Sequence, residues 1–219
     1  MTSQERLDAF GKVGAIITDS HIVYTSGKHG TAYVDKDMVY PHARLTAKLC
    51  YDIAAKFSVD FVIKKIVIDA VVAPEKGGII LSQWVAYYLS KITEREVLAF
   101  YAEKTEDGGF VIKRGGAGKF IPGKNILVVE DVLTTGGSVK KVIEVVKAMD
   151  GNVVGLGVLC NRGGITPADV ADPPELFALV NVTLDAWDEA DCPMCKQSIP
   201  INTDVGKGRD YLAKKAQKQ

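Results

Sequence analysis

No apolar run in this chain approaches the length of a membrane span. Neither charge is in excess, since 27 Lys and Arg balance 27 Asp and Glu, so neither nucleic acid nor an anionic membrane is favoured as the main partner. Four cysteines in 219 residues do not make a disulfide scaffold. Internal repeats and low-complexity tracts are missing as well. The opening MTSQERLDAFGKVGAI is charged and amphipathic, with Leu7, Phe10 and Val13 at helical spacing, and does not read as a secretion signal. The simplest expectation is a cytoplasmic globular protein with no nucleic-acid and no membrane partner.

What is present is concentrated between Ile126 and Val146. Ile126-Leu127-Val128-Val129 has no polar residue, as a strand covered on both faces should. Val139, Val142, Ile143 and Val146 then recur at i, i+3, i+4, i+7, which predicts an amphipathic helix. Between them lie two carboxylates, Glu130 and Asp131, and the loop Thr134-Thr135-Gly136-Gly137-Ser138. A hydroxyl- and glycine-rich turn opening a helix aims free N–H groups and the positive dipole end at one point, which suits a phosphate. The carboxylates repel that phosphate, and make sense if the same ligand carries a diol needing acceptors. Phosphate beside a vicinal diol describes a ribose 5-phosphate. A plain βα turn with a helix-capping Ser138 accounts for the glycines and serine, but not for the acidic pair.

Strands alternate with helices elsewhere in the chain. Short β segments are expected near Ile22–Tyr24 and Thr31–Asp35, and a helix runs from Pro41 to about Phe57. Strands follow at Lys65–Ala73, Val97–Ala102, Val153–Cys160 and Leu176–Leu184, with a helix at Gly77–Leu89 and a basic hairpin or loop at Gly108–Gly123. This order predicts an α/β fold with a central, mostly parallel sheet flanked by helices. Residues 1–40 are expected to form an N-terminal helix and hood, 41–184 the α/β core, and 185–219 a C-terminal extension. Ligands in such sheets collect beyond the carboxyl ends of the strands.

EDVLTTGGSV resembles the phosphoribosyl-pyrophosphate (PRPP) motif of the type I phosphoribosyltransferases, and is nearest to the orotate phosphoribosyltransferase branch. The resemblance implies that Glu130 and Asp131 hold the ribose hydroxyls, while Thr134, Thr135, Gly136, Gly137 and Ser138 hold the 5-phosphate. Ala73-Pro74-Glu75-Lys76-Gly77-Gly78 resembles that family's pyrophosphate loop, which puts Lys76 and Gly77 on pyrophosphate and an unusual peptide, cis included, near Pro74-Glu75. Residues 103–119 stand where the family has a mobile lid, with Lys104 at its start and Lys113, Arg114 and Lys119 further along. Lys113-Arg114 also reads as a solvated hairpin face. The family pattern carries a histidine in the lid, and this chain has none there. A Walker reading of Gly115–Lys119 fails for want of Ser or Thr after the lysine.

Tyr24-Thr25-Ser26-Gly27-Lys28 through Asp35 resembles the family's base-binding segment. On that match Thr25, Lys28, Tyr33 and Val34 meet the base, joined by Thr134 and by Arg162, whose forked guanidinium suits a carboxylate. Thr25 stands where the family has a lysine, which brings hydrogen bonding without charge. The implied reaction moves phosphoribosyl from PRPP to orotate with release of pyrophosphate, using Mg²⁺, with Lys104, Lys76 and Asp131 as catalytic residues in a homodimer that shares its lids. Another purine or pyrimidine base, or a non-catalytic PRPP sensor, are the other readings. His29 and His42 read as surface or packing residues. Cys192 and Cys195 form a CxxC read as reduced thiols, with a zinc half-site completed elsewhere and a redox pair as the alternatives.

Overall fold

The computed structural model describes residues 1–217, which separate into two compact units. One comprises Met1–Arg6 and Ala43–Val182, the other Leu7–His42 and Thr183–Gln219. The N-terminal hood and the C-terminal extension, expected as separate parts, thus fold together.

The second unit holds most of helix α1 (Ser3–Lys12) and two short antiparallel ribbons. Strand β1 (Ile16–Ile17) pairs with β4 (Tyr33–Val34), and β2 (Ile22–Val23) with β3 (His29–Gly30). The tail contributes the short α6 (Pro193–Lys196) and α7 (Gly208–Ala216).

The first unit is built on a six-stranded sheet. Its strands are β5 (Ala70–Pro74), β6 (Leu98–Lys104), β7 (Phe110–Val111), β8 (Asn125–Leu133), β9 (Asn152–Asn161) and β10 (Leu176–Asn181). Their spatial order is β10-β9-β8-β5-β6-β7, parallel throughout except for the antiparallel hairpin β6–β7. Helices α2 (Ala43–Lys64), α3 (Gly77–Thr93), α4 (Ala117–Phe120) and α5 (Gly137–Ala148) complete the unit. The four apolar positions of α5, Val139, Val142, Ile143 and Val146, are all buried with Val72, Val128, Leu156 and Val158 from the strands. No helix among the described residues is long and apolar enough to cross a membrane.

Two expected boundaries differ by five residues or more. Helix α2 runs on to Lys64 and closes with Lys65 at φ 54°. No proline or glycine intervenes between Phe57 and Lys64, so nothing stops propagation at Phe57. Strand β5 therefore starts at Ala70 rather than Lys65. Asp69 accepts the Asn125 N–H at 3.0 Å and passes its own N–H to the Asn125 carbonyl, which fixes where the sheet begins.

The chain direction makes β5 the switch point. From β5 the chain crosses to β6 on one side, whereas β8, β9 and β10 lie on the other. Pairing between β5 and β8 stops at Val72↔Val128. Beyond it β5 continues against β6 to Pro74↔Ala102, and β8 continues against β9 to Leu133↔Asn161. A crevice opens between the two carboxyl ends, where ligands bind in sheets of this kind.

Candidate active site

Glu130 and Asp131 lie on the β8 side of that crevice, each with 7% of its surface exposed. Leaving β5 deprives the β8 backbone of a neighbour on that side, and the carboxylates compensate. The Asp131 N–H donates to Glu130 Oε1 at 2.9 Å, and the Val132 N–H to Asp131 Oδ1 at 2.6 Å. Each carboxylate has two oxygens and about four acceptor positions, the acceptor type that a diol needs.

The loop that follows is exposed at Thr134, Thr135, Gly137 and Ser138, whereas Gly136 is buried. Gly136 adopts φ 72°, and a Cβ there would lie 2.5 Å from Val170 Cγ1, so the turn requires glycine. Helix α5 starts at Gly137, whose N–H donates to Thr135 Oγ1 at 3.5 Å, while the cap residue Gly136 has no side chain to offer. Its leading N–H groups and dipole are thereby directed at the loop.

The β5 side supplies the second loop. Lys76 is exposed immediately before α3, and Gly78 is buried so tightly that a Cβ would meet Ala73 Cβ at 2.7 Å. The cis peptide lies between Glu75 and Lys76, one bond later than the Pro74-Glu75 position expected from the sequence. Glu75 was not anticipated as a site residue. Its N–H donates to the Ala102 carbonyl at 2.9 Å, and its Oε1 accepts the Lys104 N–H at 3.0 Å. The end of β6, with the exposed Lys104, is therefore fixed to the loop carrying Lys76.

The segment expected as a lid, residues 103–119, is anchored to the sheet through the short β6–β7 hairpin. Glu103 and Lys104 pair with Val111 and Phe110, Ile112 and Ala117 are core residues, and Lys141 of α5 donates to the Gly108 carbonyl at 2.7 Å. Arg114 Nε donates to Glu103 Oε1 at 2.5 Å, which raises the arginine's proton affinity and commits that cation to the hairpin. Lys113 and Arg114 follow the hairpin and are both exposed.

Arg162 leaves β9 beside the phosphate loop, and its Nε donates to Thr134 Oγ1 at 2.9 Å. Two further residues hold this junction, both missed in the sequence. Buried Asn161 bonds both the N–H and the carbonyl of Ile165, at 3.0 and 2.8 Å, shaping the turn. Gly163 lies against the Thr134 backbone. Glu130, Asp131, Thr134, Thr135, Gly136, Gly137, Ser138 and Arg162 are thus assembled on one side of the crevice, with Lys76, Gly77 and Lys104 on the other.

In the second unit, Thr25, Ser26, Gly27 and Lys28 form the exposed tip of the β2–β3 hairpin, closed by a Tyr24 N–H to Lys28 carbonyl bond of 2.8 Å. Lys28 lies 3.9 Å from Asp188. Tyr33 and buried Val34 are in β4, with one edge committed to β1. His29 is not at the surface: it is fully buried, and with His21 it faces Cys192 and Cys195. Burial, reinforced by His21, lowers the His29 pKa, while burial and the adjacent Cys192 push Cys195 up to about 11. The two histidines are eight residues apart on a hairpin and far in sequence from the CxxC, so no local spacing announced the group.

Burial also pushes the Cys50 thiol up to about 12 and Cys160 up to about 11. Thiolate is the reactive form. A thiol-specific disulfide reagent at mildly alkaline pH should therefore leave Cys50 and Cys160 unmodified in native protein and label both in denaturant. Peptide mapping that finds either labelled promptly under native conditions would contradict the burial described.

Residues 40–192 match the phosphoribosyl transferase domain family. The orotate phosphoribosyltransferase of Desulforamulus reducens is 38% identical over 200 residues, covering 91% of this chain and 95% of that protein. That of Thermotoga maritima is 36% identical over 197 residues, covering 90% and 95%. Among solved structures, Mycobacterium tuberculosis orotate phosphoribosyltransferase in complex with Fe(III) dicitrate aligns with a TM-score of 0.64 at 20% identity, over 82% of this chain and 96% of that one. Adenine phosphoribosyltransferase from Saccharomyces cerevisiae aligns with a TM-score of 0.58 at 18% identity, over 80% and 99%. These structural likenesses are likenesses of fold.

Proposed function

The chain belongs to the phosphoribosyltransferase family, among the orotate phosphoribosyltransferases, and from that membership we propose that it transfers phosphoribosyl from PRPP to orotate, forming orotidine 5′-monophosphate and pyrophosphate. The observation that carries the proposal is the splayed β5–β8 pair, with two buried carboxylates and an open helix N-terminus on one side and Lys76 on the other. This is a donor site divided into diol, monophosphate and pyrophosphate subsites. Glu130 and Asp131 take the ribose hydroxyls, residues 134–138 take the 5-phosphate, and Lys76 with Gly77 takes pyrophosphate.

In the reaction a ring nitrogen of the base attacks C1, the C1–O bond to pyrophosphate breaks, and the ribosyl centre gains oxocarbenium character. No enzyme nucleophile is needed. The residues work by holding ribose and base in line and by stabilising the departing charge. Lys76 and Lys104 offer cations to the leaving group, and Asp131 is assigned the ring-nitrogen proton. The crevice fits magnesium, since Glu130 and Asp131 are hard oxygen donors that would hold it through its retained waters. Bound with PRPP, the ion would neutralise part of the pyrophosphate charge.

Of the residues expected at the base, Thr134 and Arg162 belong to the first unit and Thr25, Lys28, Tyr33 and Val34 to the second. Thr25 favours a second reading, another nucleobase, because it brings no cation for an anionic pyrimidine. A panel of bases assayed for pyrophosphate release tests both. Orotate should be turned over fastest, and a faster purine or uncharged pyrimidine would transfer the assignment to salvage. Lys76→Ala should reduce kcat/KM by about tenfold, the scale of one lost charge-assisted hydrogen bond. A PRPP sensor would show no turnover to lose.

A cytoplasmic homodimer is proposed with this activity, in which lid lysines are shared between the subunits. The α2–α3 face supports it: Trp84 stacks on Tyr88 at 5.8 Å, Tyr51 meets Tyr88 at 5.4 Å, and Tyr51 and Tyr87 are both 46% exposed. Exposed aromatic clusters of this kind mark interaction surfaces. Light scattering should give twice the 23.6 kDa chain mass. A monomer at assay concentration would remove the shared-lysine arrangement.

A further inference from the structure

We propose that His21, His29, Cys192 and Cys195 bind one zinc ion as a closed structural site within the second unit. This goes beyond the transferase reading and does not depend on it. The four ligand atoms lie within 4.8 Å of one another. His21 Nε2 is 2.9 Å from His29 Nδ1 and 3.6 Å from each sulfur, and Cys195 Sγ is 3.3 Å from His29 Nδ1. Zinc bonds of about 2.0–2.1 Å to nitrogen and about 2.3 Å to sulfur give tetrahedral N–S edges of about 3.5 Å and N–N edges of about 3.3 Å. The observed separations match the N–S edges closely and the N–N edge within a few tenths of an ångström.

Protonation and charge agree with this. His21 Nδ1 is 2.7 Å from the Ile199 carbonyl, which only accepts, so Nδ1 carries the proton and Nε2 turns its lone pair into the cluster. An imidazole anchored in this way by a carbonyl is the usual outer support of a zinc-ligating histidine. Two thiolates neutralise the dication, so the filled site places no net charge in a location where His29 and Cys192 are fully buried and His21 is 2% exposed. Without the ion, two imidazoles and two thiols are brought together out of water with little to bind, a costly use of polar groups.

The backbone holds both histidines against the tail. His29 and Trp187 exchange N–H to carbonyl bonds of 2.8 Å, and the Asn202 N–H donates to the His21 carbonyl at 2.8 Å. Cys192 caps α6 and Cys195 lies within its single turn, which brings residues three apart to one face. A cleft of about 700 Å³, lined in part by His21, Cys195, Glu189 and Tyr211, opens beside the cluster and gives the ion a route in. Four protein ligands leave no open position, so the site is structural. It fastens the hairpin bearing Thr25 and Lys28 to the C-terminal extension.

The test uses the full chain, purified without a histidine tag under reducing conditions. Elemental analysis should find one zinc per chain. Exchange with cobalt(II) should give the ligand-field bands of a tetrahedral ion together with thiolate charge-transfer absorption, a readout that needs no variant. Cys192→Ser and His29→Gln should each abolish stoichiometric zinc. A metal-free wild-type protein that takes up neither zinc nor cobalt would overturn the proposal. So would a Cys192–Cys195 disulfide in the reduced-buffer preparation, or zinc that survives both substitutions.

Discussion

Gly163→Ala should lower kcat/KM for PRPP by about 100-fold or more, the loss associated with displacing a reacting group by about an ångström. A Cβ on Gly163 would lie 1.9 Å from the Thr134 carbonyl oxygen and 2.8 Å from its carbonyl carbon. Backbone cannot move aside as a side-chain tip does, so the start of the phosphate loop must shift. The same shift strains the Arg162 and Gly163 N–H bonds to the Leu133 carbonyl, at 3.0 and 3.2 Å, which close β8 against β9. Overpacking of this kind costs about 1–3 kcal/mol, a modest fraction of a domain's stability of about 5–15 kcal/mol. The variant should therefore fold, with a lower melting temperature and a severe defect in donor binding. Wild-type kinetics with PRPP would show that the Thr134–Gly163 contact does not set the loop.

Asp131→Asn should reduce kcat/KM by about 10- to 100-fold, the value of one or more hydrogen bonds to a charged acceptor at about 1.5–3 kcal/mol. Asparagine keeps an oxygen that can accept the Val132 N–H, now bonded to Asp131 Oδ1 at 2.6 Å. The substitution removes charge and one acceptor while sparing the local backbone. The diol part of the loss should appear only with PRPP, because the ring-nitrogen proton assigned to Asp131 is common to both donors. A 2-deoxyribose analogue of PRPP should discriminate less between wild type and variant than PRPP itself. Equal losses with both donors would place Asp131 away from the diol.

Much of this site was legible because the chemistry lies where periodicity changes. The apolar run Ile126–Val129 and the i, i+3, i+4, i+7 pattern after Ser138 bracket the carboxylates and loop, and the structure reproduces both as β8 and α5. Helix α2 overran its expected end because Phe57–Lys64 contains no helix breaker, and the residues read as the start of β5, Lys65–Asp69, form the turn and irregular link after it. Residues 103–119 were legible only in part. Lys113 and Arg114 look like free cations in one dimension, but Ile112 and Ala117 on either side of them are core residues that draw the segment onto the sheet. Gly163 and Asn161 matter through contacts across the turn, which carry no local sequence signal. His21 and His29 became visible only when the tail returned to the hairpin and placed Cys192 and Cys195 beside them.

The central claim is that the crevice between β5 and β8 binds PRPP and delivers its ribosyl group to orotate. Its most direct test measures pyrophosphate and orotidine 5′-monophosphate together, from PRPP, orotate and Mg²⁺, with wild type and Asp131→Asn assayed side by side. Wild type should give equimolar products, and the variant a rate about 10- to 100-fold lower. PRPP binding without either product, or equal rates from the two proteins, would contradict it.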